Sequence, residues 1–390
     1  MNWETRIAGN VKDMPPSGIR KFFDIASEIK DAISLSVGEP DFVTPWNIIE
    51  NAIYALERGR THYTSNSGLI ELRELICRYY LERFGVTYAP SQVLVTVGAS
   101  EAIDLAVRAL VEPGDEVLIP APTYVSYAPT VELAHGVPIG IPTDMAHEFK
   151  LDGDVVKSLI TEKTKAIIVP YPNNPTGAVM DRADLQALAD ALADTNVVVI
   201  SDEIYAELTY GGTHVSIASI PGMYERTVVL NGFSKAFAMT GWRLGYAAGP
   251  PEVLNAMLKI HQYTMLCANI TSQYAGVEAL RHGFETNFDS VVKMREEYNR
   301  RRNYIVSELN RIGLTCFEPR GAFYAFPNIT VSGQTSEAFC EGLLFQKKVA
   351  VVPGTAFGQS GEGHVRISYA ASMENIKLAI SRMEEYLEEL

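Results

Sequence analysis

A few short stretches of this sequence hold side chains whose types and spacing can do nucleophilic and acid–base chemistry. The first is Asn231-Gly232-Phe233-Ser234-Lys235-Ala236-Phe237, with Arg243 following eight residues after Lys235. Lys235 stands among small and apolar residues, unlike a typical solvated lysine. Desolvation and a nearby cation lower a lysine's pKa and make it a Schiff-base nucleophile. Arg243 is such a cation, and its planar fork suits a phosphate. Alone, the stretch reads equally well as a surface lysine near an arginine.

The second stretch is Ile200-Ser201-Asp202-Glu203-Ile204-Tyr205, which follows the apolar run Val197–Ile200. Asp202 therefore falls at or near the C-terminal end of a strand, where open α/β sheets bind ligands. A buried carboxylate needs a partner. The pyridine nitrogen of pyridoxal phosphate is one, because a carboxylate keeps it protonated and the ring can then act as an electron sink. Tyr205 would donate to the ring's phenolate oxygen. Asp202 also suits the cap of a following helix. The third stretch, Tyr171-Pro172-Asn173-Asn174-Pro175-Thr176-Gly177, reads as a turn. Asn174 carries an amide NH2 that can reach the same phenolate. The fourth, Thr96-Val97-Gly98-Ala99-Ser100-Glu101-Ala102, reads as a strand–helix junction. Its small residues let backbone N–H groups approach an anion. It matches neither a Walker A motif nor GxGxxG, and the chain contains neither.

The elements that must position these residues follow from apolar patterning. Strands are expected at Val93–Val97, Glu116–Pro120, Ala166–Val169, Val197–Ser201, Thr227–Asn231 and Leu244–Ala248. Segments of helical period lie between several of them, such as Ser100–Val111 and Ala183–Asp194. This alternation predicts a largely parallel sheet covered on both faces. The C-terminal part differs. One long amphipathic pattern runs from about Glu285 to Ile312 and stops at Gly313. Short strands follow at Phe323–Phe326, Val349–Val352 and His364–Ser368, then a helix from about Glu374. They predict a smaller α+β domain.

With 390 residues the chain is long enough for two or three domains. Its 33 basic and 47 acidic residues give a formal charge of −14, which argues against a nucleic-acid partner. The basic run near Arg300 is interleaved with glutamate and reads as a solvated helix face. Cys77, Cys267, Cys316 and Cys340 form no CxxC, so neither a metal site nor a disulfide framework is expected. The N-terminus lacks the apolar core of a signal peptide, and no run predicts a membrane span. The expected location is the cytoplasm.

Eight motifs together resemble the class I (fold type I) aminotransferases. They are SVGEPDF (36–42), HYTSNSGLIELR (62–73), VTVGASEAI (95–103), YPNNPTG (171–177), SDEIYAELTY (201–210), SKAFAMTGWRLGY (234–246), GAFYAFP (321–327) and VVPGTAFG with GHVRISYA (351–370). They are in order and span nearly the whole chain. The branch resembled is the bacterial one holding aspartate, aromatic and N-acetyl-diaminopimelate aminotransferases. The resemblance implies an α/β fold type I enzyme, with a large cofactor-binding domain over residues 46–288. Residues 1–45 and 289–390 would form the small domain. It implies pyridoxal phosphate as cofactor and ping-pong transfer of an amino group from an L-amino acid to a 2-oxo acid such as 2-oxoglutarate.

By the same resemblance, Lys235 would hold the cofactor and afterwards carry the proton from the substrate α-carbon. Asp202 would pair with the ring nitrogen, Asn174 and Tyr205 with the phenolate oxygen, and Tyr124 would stack on the ring. The backbone at Ala99 and Ser100, with Ser234 and Arg243, would hold the phosphate. Tyr63 would reach the phosphate of a neighbouring subunit, in a homodimer with shared active sites. Arg366 would clamp the substrate carboxylate with help from Gly38 and Asn174. Ser100 stands where some aspartate-specific relatives carry a lysine, which weakens a strict aspartate assignment. Arg20 or Lys21 would meet a substrate side chain if the Pro15–Phe22 segment covers the site; a surface role is the simpler reading for either. A C–S lyase of the cystathionine β-lyase kind, γ-elimination to a cyclopropane ring, and a non-catalytic regulator on the same fold are the rival readings.

Overall fold

A computed structural model describes residues 1–16, 18, 29 and 31–390. Arg20 and Lys21 lie outside the described residues. In chain order the strands are β1 (Ile33–Ser34), β2 (Val93–Thr96), β3 (Glu116–Ala121), β4 (Val137–Pro142), β5 (Thr164–Val169) and β6 (Val198–Asp202). Then come β7 (Thr227–Gly232), β8 (Gly245–Ala248), β9 (Tyr324–Ala325), β10 (Val349–Ala350), β11 (Val352–Pro353) and β12 (Val365–Ser368).

Seven of these form one sheet in the order β2-β8-β7-β6-β5-β3-β4. The pairs from β4 through β7 are parallel, and β8 runs antiparallel to both of its neighbours. Successive side chains of a strand point to opposite faces, and here both faces are apolar. On one side Val117, Ile119, Ile168, Ile200, Val228 and Leu230 pack with Ile103, Val107, Leu254 and Met257 from two helices, Gly98–Leu110 and Pro251–Thr264. On the other, Leu118, Ile167 and Val199 meet Leu185 and Leu188 of the Arg182–Leu192 helix, while Val95 and Val229 meet Leu72, Ile76 and Leu280. Double-sided burial is why these strands read as nearly unbroken apolar runs.

The six strands expected in this region are all present. β4 was missed, and its position explains why. It lies at the sheet edge beyond β3, holds Pro138, Gly140 and Pro142, and is largely open to solvent. An edge strand needs neither a full set of N–H donors nor an apolar run.

The chain's start and end share another core. β1 pairs in parallel with β10, and β12 lies between β11 and β9. Ile33 and Leu35 pack with Tyr298, Ile305, Leu343 and Ile380. The long pattern expected from about Glu285 to Ile312 forms one helix that starts four residues later. The preceding helix covers Ile270–Thr286 and this one Asp289–Arg311. Between them Asn287 and Phe288 adopt left-handed φ values of 52° and 57°. Phe288 is buried against the close approach of Gly283, where a Cβ would lie 2.3 Å from its ring. The break therefore inserts an aromatic ring into the core, which helical periodicity does not reveal.

Candidate active site

The C-terminal ends of the parallel strands and the start of one helix surround a cavity of about 490 Å³. β7 runs into Phe233, Ser234 and Lys235, so Lys235 leaves the sheet at the cavity wall. Its Nζ donates to the Gly38 carbonyl oxygen at 2.5 Å. It also lies 5.8 Å from the Tyr205 ring centroid and 5.7 Å from that of Phe323. Burial pushes the Lys235 ammonium down to about 8; Glu39 opposes that shift, while Arg366 and Arg243 add to it. An amine with that pKa is partly neutral near physiological pH and therefore nucleophilic.

Asp202 is the last residue of β6 and is buried. Its Oδ2 accepts from the Tyr127 hydroxyl at 2.9 Å and its Oδ1 from the Ile204 N–H at 3.1 Å. The local capping role is thus real, but no helix follows. Burial outweighs these bonds and pushes the carboxyl up to about 6. A carboxylate in that state is stabilised by a cationic partner in the cavity.

The helix Gly98–Leu110 points its N-terminus at the same space. Glu101 accepts the Val97 N–H at 2.5 Å and binds the buried His261 Nδ1 at 2.7 Å. The first-turn N–H groups beyond Val97, at Gly98, Ala99 and Ser100, have no carbonyl one turn earlier in the helix to bond. Two glycines let this helix come close. Gly98 has φ +73°, and a Cβ there would lie 2.7 Å from Arg243 Nη2. A Cβ on Gly245 of β8 would lie 2.4 Å from the Gly98 carbonyl carbon and 2.5 Å from the Ala99 nitrogen. Arg243 itself is left-handed at φ 51° and donates from Nη1 to the Thr240 carbonyl at 3.2 Å. Helix N-terminus, guanidinium and the Ser234 hydroxyl make a cradle fitted to a phosphate.

Arg366, on β12, closes the opposite side. It is 1% exposed. Nη1 donates to Asn174 Oδ1 at 2.9 Å and Nη2 to the Ser36 carbonyl at 2.6 Å. Its Nε is buried with no hydrogen-bond partner, and no carboxylate pairs with it among the described residues. Guanidinium only donates, so Asn174 must present its oxygen to Arg366 and keep its NH2 for the cavity. Tyr124 and Tyr205 complete the wall, and Tyr205 shares a hydroxyl–hydroxyl contact of 2.8 Å with Tyr324.

Eleven of the twelve residues singled out in the sequence therefore line one cavity: Gly38, Ala99, Ser100, Tyr124, Asn174, Asp202, Tyr205, Ser234, Lys235, Arg243 and Arg366. Tyr63 does not line it and is 83% exposed. Tyr127, Tyr324 and Ser36 also serve the site and were not singled out. Tyr324 stood inside the quoted motif GAFYAFP and Tyr127 three residues after Tyr124, but no spacing rule says which tyrosine turns inward.

The residues fit pyridoxal phosphate. An anion cradle, a buried carboxylate, a neutralisable lysine and an uncompensated guanidinium are held around one space of cofactor size. Comparison with known proteins agrees. The family model described as aminotransferase class I and II matches residues 30–383. The chain is 53% identical to a putative aminotransferase, YugH, of Bacillus subtilis, over 97% of each chain. It is 48% identical to an aspartate aminotransferase of Pyrococcus abyssi, over 96% of each. The crystal structure of an aromatic aminotransferase from Pyrococcus horikoshii superposes with a TM-score of 0.90 at 45% identity, covering 95% of this chain and 99% of that one.

The chain belongs to the class I and II aminotransferases. The aminotransferase has the fold type I architecture, depends on pyridoxal phosphate, and takes amino acids and 2-oxo acids as substrates. The findings do not favour the C–S lyase reading.

Proposed function

We propose that this aminotransferase works through the residues that face the cavity, in a homodimer in the cytoplasm. When bound, pyridoxal phosphate supplies the electron sink that makes the amino acid's α-proton acidic. Lys235 would hold the cofactor, and its Nζ, at the cavity wall, is the group that would take that proton and return it. Asp202, fixed by Tyr127 and the Ile204 N–H, keeps the ring nitrogen protonated. Asn174 and Tyr205 donate to the ring's phenolate oxygen, and Tyr124 stacks on the ring. Ala99, Ser100, Ser234 and Arg243 grip the phosphate. The exposure of Tyr63 suits a residue that serves the partner subunit's phosphate.

The observation that carries this reading is Arg366. A fully buried guanidinium with a free Nε–H and no ion-pair partner among the described residues is costly unless an anion arrives. A substrate α-carboxylate is that anion, and it reaches Arg366 across the cavity from Lys235. The shared core of Ile33, Leu35 and the residues after 289 supports a division into a large domain, 46–288, and a small one, 1–45 with 289–390. Relative motion of the two would close Arg366 and Gly38 over the substrate. Among the described residues, no helix is long and apolar enough to cross a membrane, which fits the proposed location.

The donor falls within the range of aspartate, aromatic and N-acetyl-diaminopimelate-type amino acids, with 2-oxoglutarate as acceptor. Assaying a panel of these donors with 2-oxoglutarate and ranking them by kcat/KM tests the assignment. At least one should give glutamate at a rate that requires both substrates. A panel that yields ammonia and pyruvate from β-substituted amino acids, with no glutamate, would sink it.

A further inference from the structure

Tyr324 belongs to no role assigned so far, yet it touches both halves of the site. It is the first residue of β9 and is 1% exposed. Its hydroxyl lies 2.8 Å from that of Tyr205, the residue aimed at the cofactor's phenolate oxygen. Its ring lies under Arg366, with the guanidinium carbon 4.5 Å from the centroid. The backbone at Gly38 presses on the same hydroxyl, since a Cβ there would sit 2.6 Å from it. The Gly38 carbonyl in turn holds Lys235 Nζ. One tyrosine thus contacts the carboxylate clamp, the cofactor-side hydroxyl and the loop at Gly38 that restrains the lysine.

We infer that Tyr324 is a positioning residue that sets the hydrogen bond from Tyr205 to the cofactor through its hydroxyl and supports the substrate-carboxylate clamp through its ring. The inference rests on the proposed roles of Tyr205 and Arg366. Two hydroxyls at this distance share one hydrogen. If Tyr205 donates to the phenolate, its oxygen must accept, and Tyr324 is the donor beside it. Donation into Tyr205 makes its own O–H a better donor, because chained hydrogen bonds polarise one another. The ring face meanwhile gives the buried guanidinium a partner that does not compete for the substrate carboxylate.

The two functions separate by substitution. Tyr324→Phe keeps the ring and removes the hydroxyl. Tyr324→Leu removes both. Weaker donation to the phenolate would leave more negative charge near Lys235 Nζ, so its proton would be held to higher pH. The charged groups acting on Lys235 are Glu39, Arg366, Arg243 and Asp202, and neither substitution changes any of them. The experiment is a pH titration of cofactor absorbance in the holoenzyme, with steady-state kinetics and thermal melting on the same samples.

Tyr324→Phe should move the titration midpoint up by roughly half to one pH unit. It should lower kcat by about 3- to 10-fold and leave KM for the amino acid within about 2-fold. Tyr324→Leu should add a rise of about 10-fold in KM. A midpoint and kcat for Tyr324→Phe equal to the parent's would overturn the hydroxyl's role. Equal KM changes in both variants would overturn the ring's. The parent's own titration and turnover test the underlying reading separately: if the parent shows both and Tyr324→Phe matches it, only the inference about Tyr324 falls.

Discussion

Replacing Arg366 with lysine keeps the charge and removes the fork. The guanidinium now spends Nη1 on Asn174 and Nη2 on the Ser36 carbonyl. Its remaining hydrogens, including the unpartnered Nε–H, are left for a carboxylate. A lysine ammonium has three donors on one atom and cannot hold both fixed partners while presenting a planar pair to substrate. One to two charge-assisted hydrogen bonds are lost, at about 1.5–3 kcal/mol each. Part of that is recovered by the retained charge, leaving about 2–4 kcal/mol. That corresponds to a fall of roughly 30- to 1,000-fold in kcat/KM. The assay compares an amino acid with the amine that lacks only its carboxylate, in parent and variant. Arg366→Lys should depress the amino acid by that factor and leave the amine within about 3-fold. Equal losses for both substrates, or no loss for the amino acid, would refute the clamp.

Other consequences can be checked alongside. Lys235 is charged below its midpoint near 8 and neutral above it. Cofactor uptake by the apoprotein should therefore rise about tenfold per pH unit up to pH 8 and level off beyond, as neutral amine saturates. A rise continuing past pH 10, the range of an ordinary lysine, would contradict the desolvation. Asp202 is raised from 3.8 to about 6. Between these values the folded apoprotein binds more protons than the unfolded chain, so this group lowers stability as pH climbs through that window. The Asp202→Asn apoprotein should escape that loss, by at most about 3 kcal/mol at pH 7. Melting curves at pH 4 and 7 that shift in parallel for parent and variant would rule it out. Gly245→Ala drives a Cβ into the backbone at Gly98 and Ala99. It should weaken cofactor binding by at least about 10-fold and lower the melting temperature, whereas Gly212→Ala, with nothing within 4 Å, should do neither. Cofactor titration followed by fluorescence reads the difference.

Much of this was legible in the sequence because strand ends in a two-sided parallel sheet are predictable places. Lys235, Asp202 and Asn174 each follow an apolar run, and the sheet brings the ends of those runs to one edge. Arg366 was different. It sits on β12, whose Val365 and Ile367 belong to the separate core shared by the chain's ends, and only its motif pointed to it. Tyr127 and Tyr324 escaped because side-chain direction depends on the local turn, which spacing does not encode. β4 escaped because an edge strand is free of the apolar constraint. The break at Asn287–Phe288 escaped because a left-handed turn between two helices leaves no mark in their periodicity.

The central claim is that the amino group stays on the enzyme until a 2-oxo acid removes it. The most direct test mixes holoenzyme with a preferred amino acid and no acceptor. It then measures 2-oxo acid and ammonia released per active site. The account predicts one equivalent of 2-oxo acid, no ammonia, and a stop until 2-oxoglutarate is added, with the Lys235→Ala protein releasing neither at the parent rate. Continued release of ammonia without acceptor, or parent-rate turnover by Lys235→Ala, would contradict it.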